Sequence, residues 1–428
     1  MTYENALEKI HSLLTFGSRP GLDRIKTLLD LMGNPQDNLK FIHVAGTNGK
    51  GSVCQMLSAV LTNQGYKTGL FISPYITDFR ERIQINGKMI SENELTKAVE
   101  ETFPLVENLR KKDCIITEFE YVMALEFYIH NKAKCDIVVL ETGMGGLLDC
   151  TNVIKPPLCS VITAIGLDHT EILGSTIEEI TLQKCGIIKP DSFVVTSIQE
   201  EKTMKVIEDT AREKEVPLYK SEDFNIQVVS SDIEKTILKY NNLELTLYLT
   251  GLHQIENAKT ALTVLENLRC KRILKIDDTS LVKGFKKAVN PARLEIISKN
   301  PLILLDGAHN PNGIEALKKS LDFYIKGKKK ICILGMLRDK DSLSSIKLLE
   351  NTFDEVVTVP INNPRALNEI ELYSKCLGHF KKVTPKKDIF SAFDYAYNKA
   401  KEKNLALVIC GSLYLSGEIR PYALEKAK

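Results

Sequence analysis

The chain has 428 residues, enough at ~150 residues per domain for two or three domains. Hydrophobic residues make up 43% and charged residues 26%, ordinary values for a globular protein that buries a large core. With 57 Lys and Arg against 55 Asp and Glu the net charge is +2, which excludes a global field for nucleic acid or an anionic membrane.

The opening Met1-Thr2-Tyr3-Glu4-Asn5 lacks a basic leader followed by an apolar stretch, and no run of about 18 apolar residues follows, so a cytoplasmic protein is expected. Two amphipathic helices come first; in the second, Leu22, Ile25, Leu28, Leu29 and Met32 recur at helical spacing and stop at Gly33-Asn34-Pro35. A short apolar strand, Phe41-Ile42-His43-Val44-Ala45, leads through a glycine-rich turn into a helix over about 51–63. Further buried strands are expected at 66–72, 135–140, 158–164 and 192–197, with helical patterns between them, which argues for a parallel sheet covered on both faces. Residues 224–249 alternate instead (Ile226, Val228, then Leu243, Leu245, Leu247) and suggest antiparallel strands packed at the edge. After Asn290-Pro291 a second series predicts strands at 302–306, 330–334, 354–359 and 405–410. The stretch 283–293, with Gly284 and Pro291, is the candidate hinge between domains 1–290 and 291–428. Two α/β domains with a cleft between them are expected, and ligands usually bind in such clefts and at the C-terminal ends of parallel strands. The ten scattered cysteines form no Cys-x-x-Cys pair and read as reduced, mostly buried small hydrophobes.

The sharpest motif is Gly46-Thr47-Asn48-Gly49-Lys50-Gly51-Ser52, between strand and helix. Glycines let backbone N–H groups converge on phosphate oxygens, the helix N-terminus adds partial positive charge, and Lys50 supplies a point cation for the β/γ-phosphates. Gly51 intervenes before Ser52, which departs from the ordinary Gly-Lys-Ser/Thr ending; the bland alternative is a Gly/Asn-rich connecting turn. Glu141 ends an apolar strand and precedes Thr142-Gly143-Met144-Gly145-Gly146, which places a hard carboxylate oxygen suited to Mg²⁺ on the ligand side of the sheet. His169 follows another apolar strand in Ile165-Gly166-Leu167-Asp168-His169-Thr170. An isolated His is more often structural or solvated, and Lys184 alone reads as a solvated helix lysine.

Together with Ser73-Pro74, Phe79-Arg80-Glu81-Arg82-Ile83, Gln183-Lys184-Cys185-Gly186 and Asp306-Gly307-Ala308-His309-Asn310-Pro311, these motifs resemble the folylpolyglutamate synthase family, which includes bifunctional dihydrofolate synthases and belongs with the Mur ligases. The resemblance runs from Phe16-Gly17-Ser18-Arg19 to Gly411-Ser412-Leu413-Tyr414 and beyond. It implies a P-loop-type parallel-sheet ATPase domain and a smaller Rossmann-like C-terminal α/β domain. The implied reaction is ATP-dependent γ-linked addition of L-glutamate to a folate through an acyl phosphate, with dihydropteroate as a further acceptor. By matching position, Asn48, Gly49, Lys50, Gly51 and Ser52 would bind ATP phosphates, with Asn257, Arg293, Asp306 and His309 on the nucleotide side. Ser73, Glu141 and His169 would ligate magnesium, with two Mg²⁺ sites expected, and Lys50, His169 and Lys184 would serve catalysis. Lys184 is similar in setting to a carbamoylated lysine assisting the second Mg²⁺, although Gln183 replaces the usual preceding glutamate. The modification is demanding, because a free lysine of pKa about 10.4 is only roughly 0.04% neutral at pH 7 and only the amine captures CO₂.

On the pterin side the family positions correspond to Leu22, Asp23, Arg24, Thr117, Glu120 and Asp149. Leu147, Cys150 and Glu118 depart from the family's common arginine, alanine and apolar residue, which bears on the choice between dihydropteroate and reduced folate. A Mur-type ligase acting on another carboxylate would normally carry an extra N-terminal domain, for which the stretch ahead of Gly46 leaves no room. A nucleotide-switched binding module would explain residues 46–52 but not Glu141, His169, Lys184 and Asp306 together. The expected partners are small molecules, without nucleic acid or membrane, and a monomer is expected.

Overall fold

Residues 1–16 and 20–427 are described by a computed structural model, which leaves Gly17-Ser18-Arg19 of the first family motif outside the described residues. The first sheet contains β1 (Phe41–Ala45), β2 (Thr68–Phe71), β3 (Ile83–Ile85), β4 (Lys88–Met89), β5 (Ile137–Glu141), β6 (Cys159–Ile162), β7 (Val194–Thr196) and β8 (Leu218–Lys220). Their order is β4-β3-β2-β5-β1-β6-β7-β8; all neighbours pair in parallel except β2-β3 and β3-β4, which turn back antiparallel at one edge. The pleat sorts alternate residues to opposite faces. Phe41, Val138 and Leu140 join one core with Tyr121 and Phe127, whereas Ile42, Val44 and Val139 join the other with Met56 and Leu57. Helices Tyr3–His11, Asp23–Leu31, Glu92–Arg110 and Glu118–Lys132 cover the first face; Lys50–Gln64, His253–Cys270 and Asp278–Lys287 cover the second.

The alternating segment forms β9 (Gln227–Ser231), β10 (Thr236–Tyr240) and β11 (Leu243–Leu247), antiparallel as expected. They make a sheet of their own instead of extending an edge, and Leu238, Leu245 and Leu247 pack into the second core. A third sheet contains β12 (Glu295–Lys299), β13 (Leu302–Leu305), β14 (Lys330–Leu334), β15 (Glu355–Thr358), β16 (Val383–Pro385) and β17 (Ala406–Cys410). Its order is β12-β13-β17-β14-β15-β16, with only β12 antiparallel.

The connection between the domains is narrower than 283–293, because the helix Asp278–Lys287 takes in its first half. Gly284 serves close packing and not bending: an added Cβ would lie 2.4 Å from the Val60 Cα. The chain turns instead at Ala292 and Leu294, both left-handed at φ 54° and 47°, which costs roughly 1–3 kcal/mol per residue and needs the surroundings to hold it. They do: the Gly307 N–H donates to the Ala292 carbonyl at 2.8 Å, and the Leu294 N–H donates to Asp306 Oδ2 at 2.7 Å. Among the described residues no helix is long and apolar enough to cross a membrane, and all ten cysteines are free thiols, of which only Cys270 is exposed.

Candidate active site

Gly46 leaves β1 so close to β6 that a Cβ would meet the Thr163 hydroxyl oxygen at 1.9 Å. The next two backbone donors are already engaged: the Thr47 and Asn48 N–H groups both donate to the Ala164 carbonyl, at 2.9 and 3.0 Å. Thr47 Oγ1 adds a reciprocal pair with the Gly166 backbone. The donors that remain for an anion are those of the first turn of helix Lys50–Gln64, which have no intrahelical partner. Gly49 starts that helix at φ 89°, where a Cβ would come within 2.3 Å of Asn257 Oδ1. The Asn48 side chain faces Asn310 of the second domain at 3.5 Å.

Lys50 reaches back over the loop, with Nζ 3.2 Å from the Gly46 carbonyl and 3.9 Å from Glu141 Oε1. Glu141 is buried at the end of β5, and burial pushes its carboxyl up while Lys50 and the Ser73 N–H, donating at 3.2 Å, pull the other way. The Ser52 hydroxyl accepts a hydrogen bond from Asn290 Nδ2 at 3.2 Å. Lys184 is 4% exposed and donates to the Gly46 carbonyl at 2.9 Å. Burial, and next the Lys50 charge, push its ammonium down to about 7.

Asp168 gathers the second domain. Burial opposes its ionisation, but Lys340 at 2.5 Å holds the carboxyl well below the usual carboxylate range, and Asn310 Nδ2 donates to it at 3.1 Å. Withdrawal from water and the Lys340 charge push both His169 and His309 down to about 4, so both rings are neutral at pH 7. His309 Nδ1 lies 2.9 Å from the Gly307 carbonyl, which assigns it the ring proton and leaves Nε2 3.9 Å from Asp168. Asp306 is buried, with its oxygens accepting from the Leu294 and Ala308 N–H groups, so it fixes the strained turn that presents Arg293.

All residues expected on the nucleotide and metal side, from Asn48 to His309, line one cavity of about 420 Å³. The expected acceptor residues divide. Thr117 and Asp149 line a second cavity of about 400 Å³, together with Phe119, Cys150 and Glu118. Leu22 only precedes the helix Asp23–Leu31, and Arg24 is ion-paired to buried Glu120 at 2.9 Å instead of lining the cavity. Glu120 also closes a capping box with Thr117, which sets the entry of helix Glu118–Lys132. Asp149 accepts from the Met144 N–H at 2.7 Å and from Thr151, pinning the glycine turn after β5. The two cavities share Ser73, Gly143, Met144 and Gly145. Asp168, Lys340, Asn310 and Asn290 gained no role from the sequence, because the contacts that bring them to the site cross the domain boundary or the hinge.

The Mur ligase middle domain matches residues 44–265, and the Mur ligase glutamate ligase domain matches residues 292–413. The chain is 36% identical to the dihydrofolate synthase/folylpolyglutamate synthase of Bacillus subtilis over 98% of both chains. Folylpolyglutamate synthase of Mycobacterium tuberculosis, solved in complex with ADP and AMPPCP, superposes with a TM-score of 0.90 at 31% identity, covering 98% of this chain and 99% of that one. Escherichia coli FolC in complex with DHPP and ADP gives 0.87 at 27% identity, covering 100% and 99%. From its matched domains, its full-length relatives and its fold, the chain belongs to the dihydrofolate synthase/folylpolyglutamate synthase family of Mur ligases.

Proposed function

We propose that this chain is an ATP-dependent ligase that adds L-glutamate to a folate through a γ-glutamyl acyl phosphate, and that it also joins glutamate to dihydropteroate. The observation that carries this reading is the meeting of the two cavities at Ser73 and the glycine turn. An acceptor lying against Phe119 directs its carboxylate to the place where a triphosphate on helix Lys50–Gln64 ends. A carboxylate is a poor acyl donor because its leaving group would be oxide; phosphorylation by ATP supplies a better one, with ADP leaving. The amine of glutamate then attacks the acyl carbon, inorganic phosphate departs, and the amine loses a proton. Phosphoryl transfer asks mainly for positioning and charge neutralisation. Helix N–H groups and Lys50 supply both on one side, and Arg293 adds a planar guanidinium from the other. The neutral ring of His309, with its proton on Nδ1, offers Nε2 as a base from the second domain.

Among the described residues no three His, Cys, Asp or Glu side chains converge as a metal cage. That agrees with Mg²⁺, which keeps several waters and takes one or two protein ligands beside substrate phosphates. The buried Glu141 carboxylate, the Ser52 and Ser73 hydroxyls and neutral His169 are suitable donors, and bound Mg²⁺ would neutralise developing phosphate charge there. Lys184 at about 7 is roughly half amine at pH 7, about three powers of ten more than a free lysine, and so is prepared for CO₂ capture.

Glutamate-dependent phosphate release with dihydropteroate and with a monoglutamyl tetrahydrofolate tests the function. Oxygen-18 from the acceptor carboxylate is expected in the liberated phosphate; equally fast release without glutamate, and no amide product, would support a nucleotide switch instead.

A further inference from the structure

Arg82 is buried, 8% exposed, at the end of the turn Phe79–Arg82, and its carbonyl accepts the N–H of Ile72, the residue before Ser73. Its guanidinium lies over the rings of Tyr75 and Phe79, at 5.2 and 5.6 Å. Its Nε and Nη1 are buried without a hydrogen-bond partner, and among the described residues it forms no salt bridge. A guanidinium presents five donors and stays charged, so two orphaned donors in a desolvated position are costly unless something else completes them. Its neighbours locate it. Phe79 packs edge-on against His11 at 5.8 Å, and His11 lies 3.5 Å from Glu118, which lines the acceptor cavity; on the other side stands the helix Leu413–Lys426 of the second domain. That helix rests on the same loop, since a Cβ at Gly417 would come within 1.9 Å of the Ile76 carbonyl oxygen. The loop is preorganised by Glu81, whose carboxylate accepts from the N–H groups of Ile76, Thr77 and Asp78.

We propose that Arg82 is a carboxylate-binding subsite at the junction of the acceptor cavity and the second domain, and that it holds the α-carboxylate of a glutamyl substrate. This assignment rests on the ligase reading. A glutamyl α-carboxylate has two sources, the incoming amino acid and the terminal glutamate of a folate acceptor; both are bidentate partners that a guanidinium fork fits. Dihydropteroate separates them, because its only carboxylate is the one that reacts.

The experiment compares the full chain with Arg82→Met and Arg82→Lys. It measures melting temperature, kcat, and KM for glutamate and for the dihydropteroate and monoglutamyl tetrahydrofolate acceptors. Arg82→Met is expected to melt no lower than the parent, because replacing an unpaired buried charge by an apolar side chain of similar length is neutral or stabilising. KM is expected to rise about tenfold or more, with a smaller change in kcat and an intermediate value for Arg82→Lys. A rise for glutamate with either acceptor assigns the incoming amino acid; a rise for the monoglutamyl acceptor but not for dihydropteroate assigns the acceptor tail. Unchanged KM values in both variants overturn the proposal, as does a lowered melting temperature in Arg82→Met with unchanged KM values in Arg82→Lys. If the parent shows no glutamate-dependent phosphate release, the ligase reading falls on its own. Calorimetric binding of γ-glutamylglutamate then still decides Arg82: loss of binding in Arg82→Met supports the subsite, and equal or absent binding overturns it.

Discussion

The nucleotide cavity and the acceptor cavity adjoin, yet they are built in different ways. The first is made largely of main chain: a strand end, a glycine turn and the first turn of a helix, steadied by Thr163, Ala164 and Asn257. The second is made of side chains brought from separate elements, Thr117 and Phe119 from one helix entry and Asp149 and Cys150 from the turn after β5. A main-chain cradle tolerates little change at its own positions, because an added Cβ at Gly46 or Gly49 collides with Thr163 or Asn257. A side-chain cavity admits substitution and is therefore where acceptor preference is adjusted. Of the expected departures from the family pattern, Cys150 and Glu118 line the second cavity and Leu147 does not.

The strongest way to break this comparison is Lys50→Ala. Removing the ammonium that reaches back over the glycine loop is expected to lower phosphate release about 10²–10³-fold, as loss of a preorganised electrostatic donor does elsewhere, while the melting temperature stays close to that of the parent. An unaltered rate would remove Lys50 from the chemistry.

Lys184→Ala is next. Activity is expected to fall and to return in part with short carboxylates, and a mass gain of one CO₂ on Lys184 of the parent would support the carbamate directly. Lys184 also predicts a pH signature independent of turnover. Its folded value is depressed from 10.5 to about 7, so between those limits the unfolded chain holds a proton that the folded chain has released. Stability contributed by this group therefore rises with pH across that window, with a slope approaching about 1.4 kcal/mol per unit. Comparison with Lys184→Met in urea titrations isolates it; identical slopes would show an ordinary solvated ammonium.

A matched pair sharpens the contrast further. Gly49→Ala places a Cβ against Asn257 at a left-handed backbone position and is expected to cost roughly 1–3 kcal/mol of stability, with weaker ATP binding. Gly143→Ala instead meets the Phe119 ring at 2.3 Å, so the ring must move, and KM for the acceptor is expected to rise more than KM for ATP. If both variants affect ATP alone, the acceptor has been placed in the wrong cavity. The smallest effect belongs to Cys150→Ala, which deletes one sulfur from the cavity wall. A change of less than about threefold in the ratio of dihydropteroate to folate turnover is expected, consistent with ~1 kcal/mol or less for a small change in an apolar pocket.

Much of the molecule was legible in the residue order because the signals were local. Buried parallel strands appear as short apolar runs, and the glycine turn lies wholly between two such elements. The strands that escaped notice, β3, β4, β8, β12 and β16, are two to five residues long, and the last four are largely half-buried or exposed, so no apolar run marks them. Within the expected hinge 283–293 Gly284 serves helix packing while Ala292 carries part of the turn; a glycine needed for close packing looks, in sequence, like one needed for a bend. The true bend occurs at Ala292 and Leu294, residues without an intrinsic turn preference, and is enforced by Asp306 from a later strand.

The residue order by itself indicated two α/β series, the glycine turn between strand and helix and the family motifs, because periodicity and spacing are properties of neighbours along the chain. Tertiary structure alone decided which donors of the turn stay free, that Lys184 is buried beside Lys50, that Asp168 meets Lys340, and that Arg82 Nε and Nη1 find no hydrogen-bond partner among the described residues. Each of these depends on burial and on charges far apart in sequence, and neither desolvation nor Coulomb energy has a value until distant segments have packed.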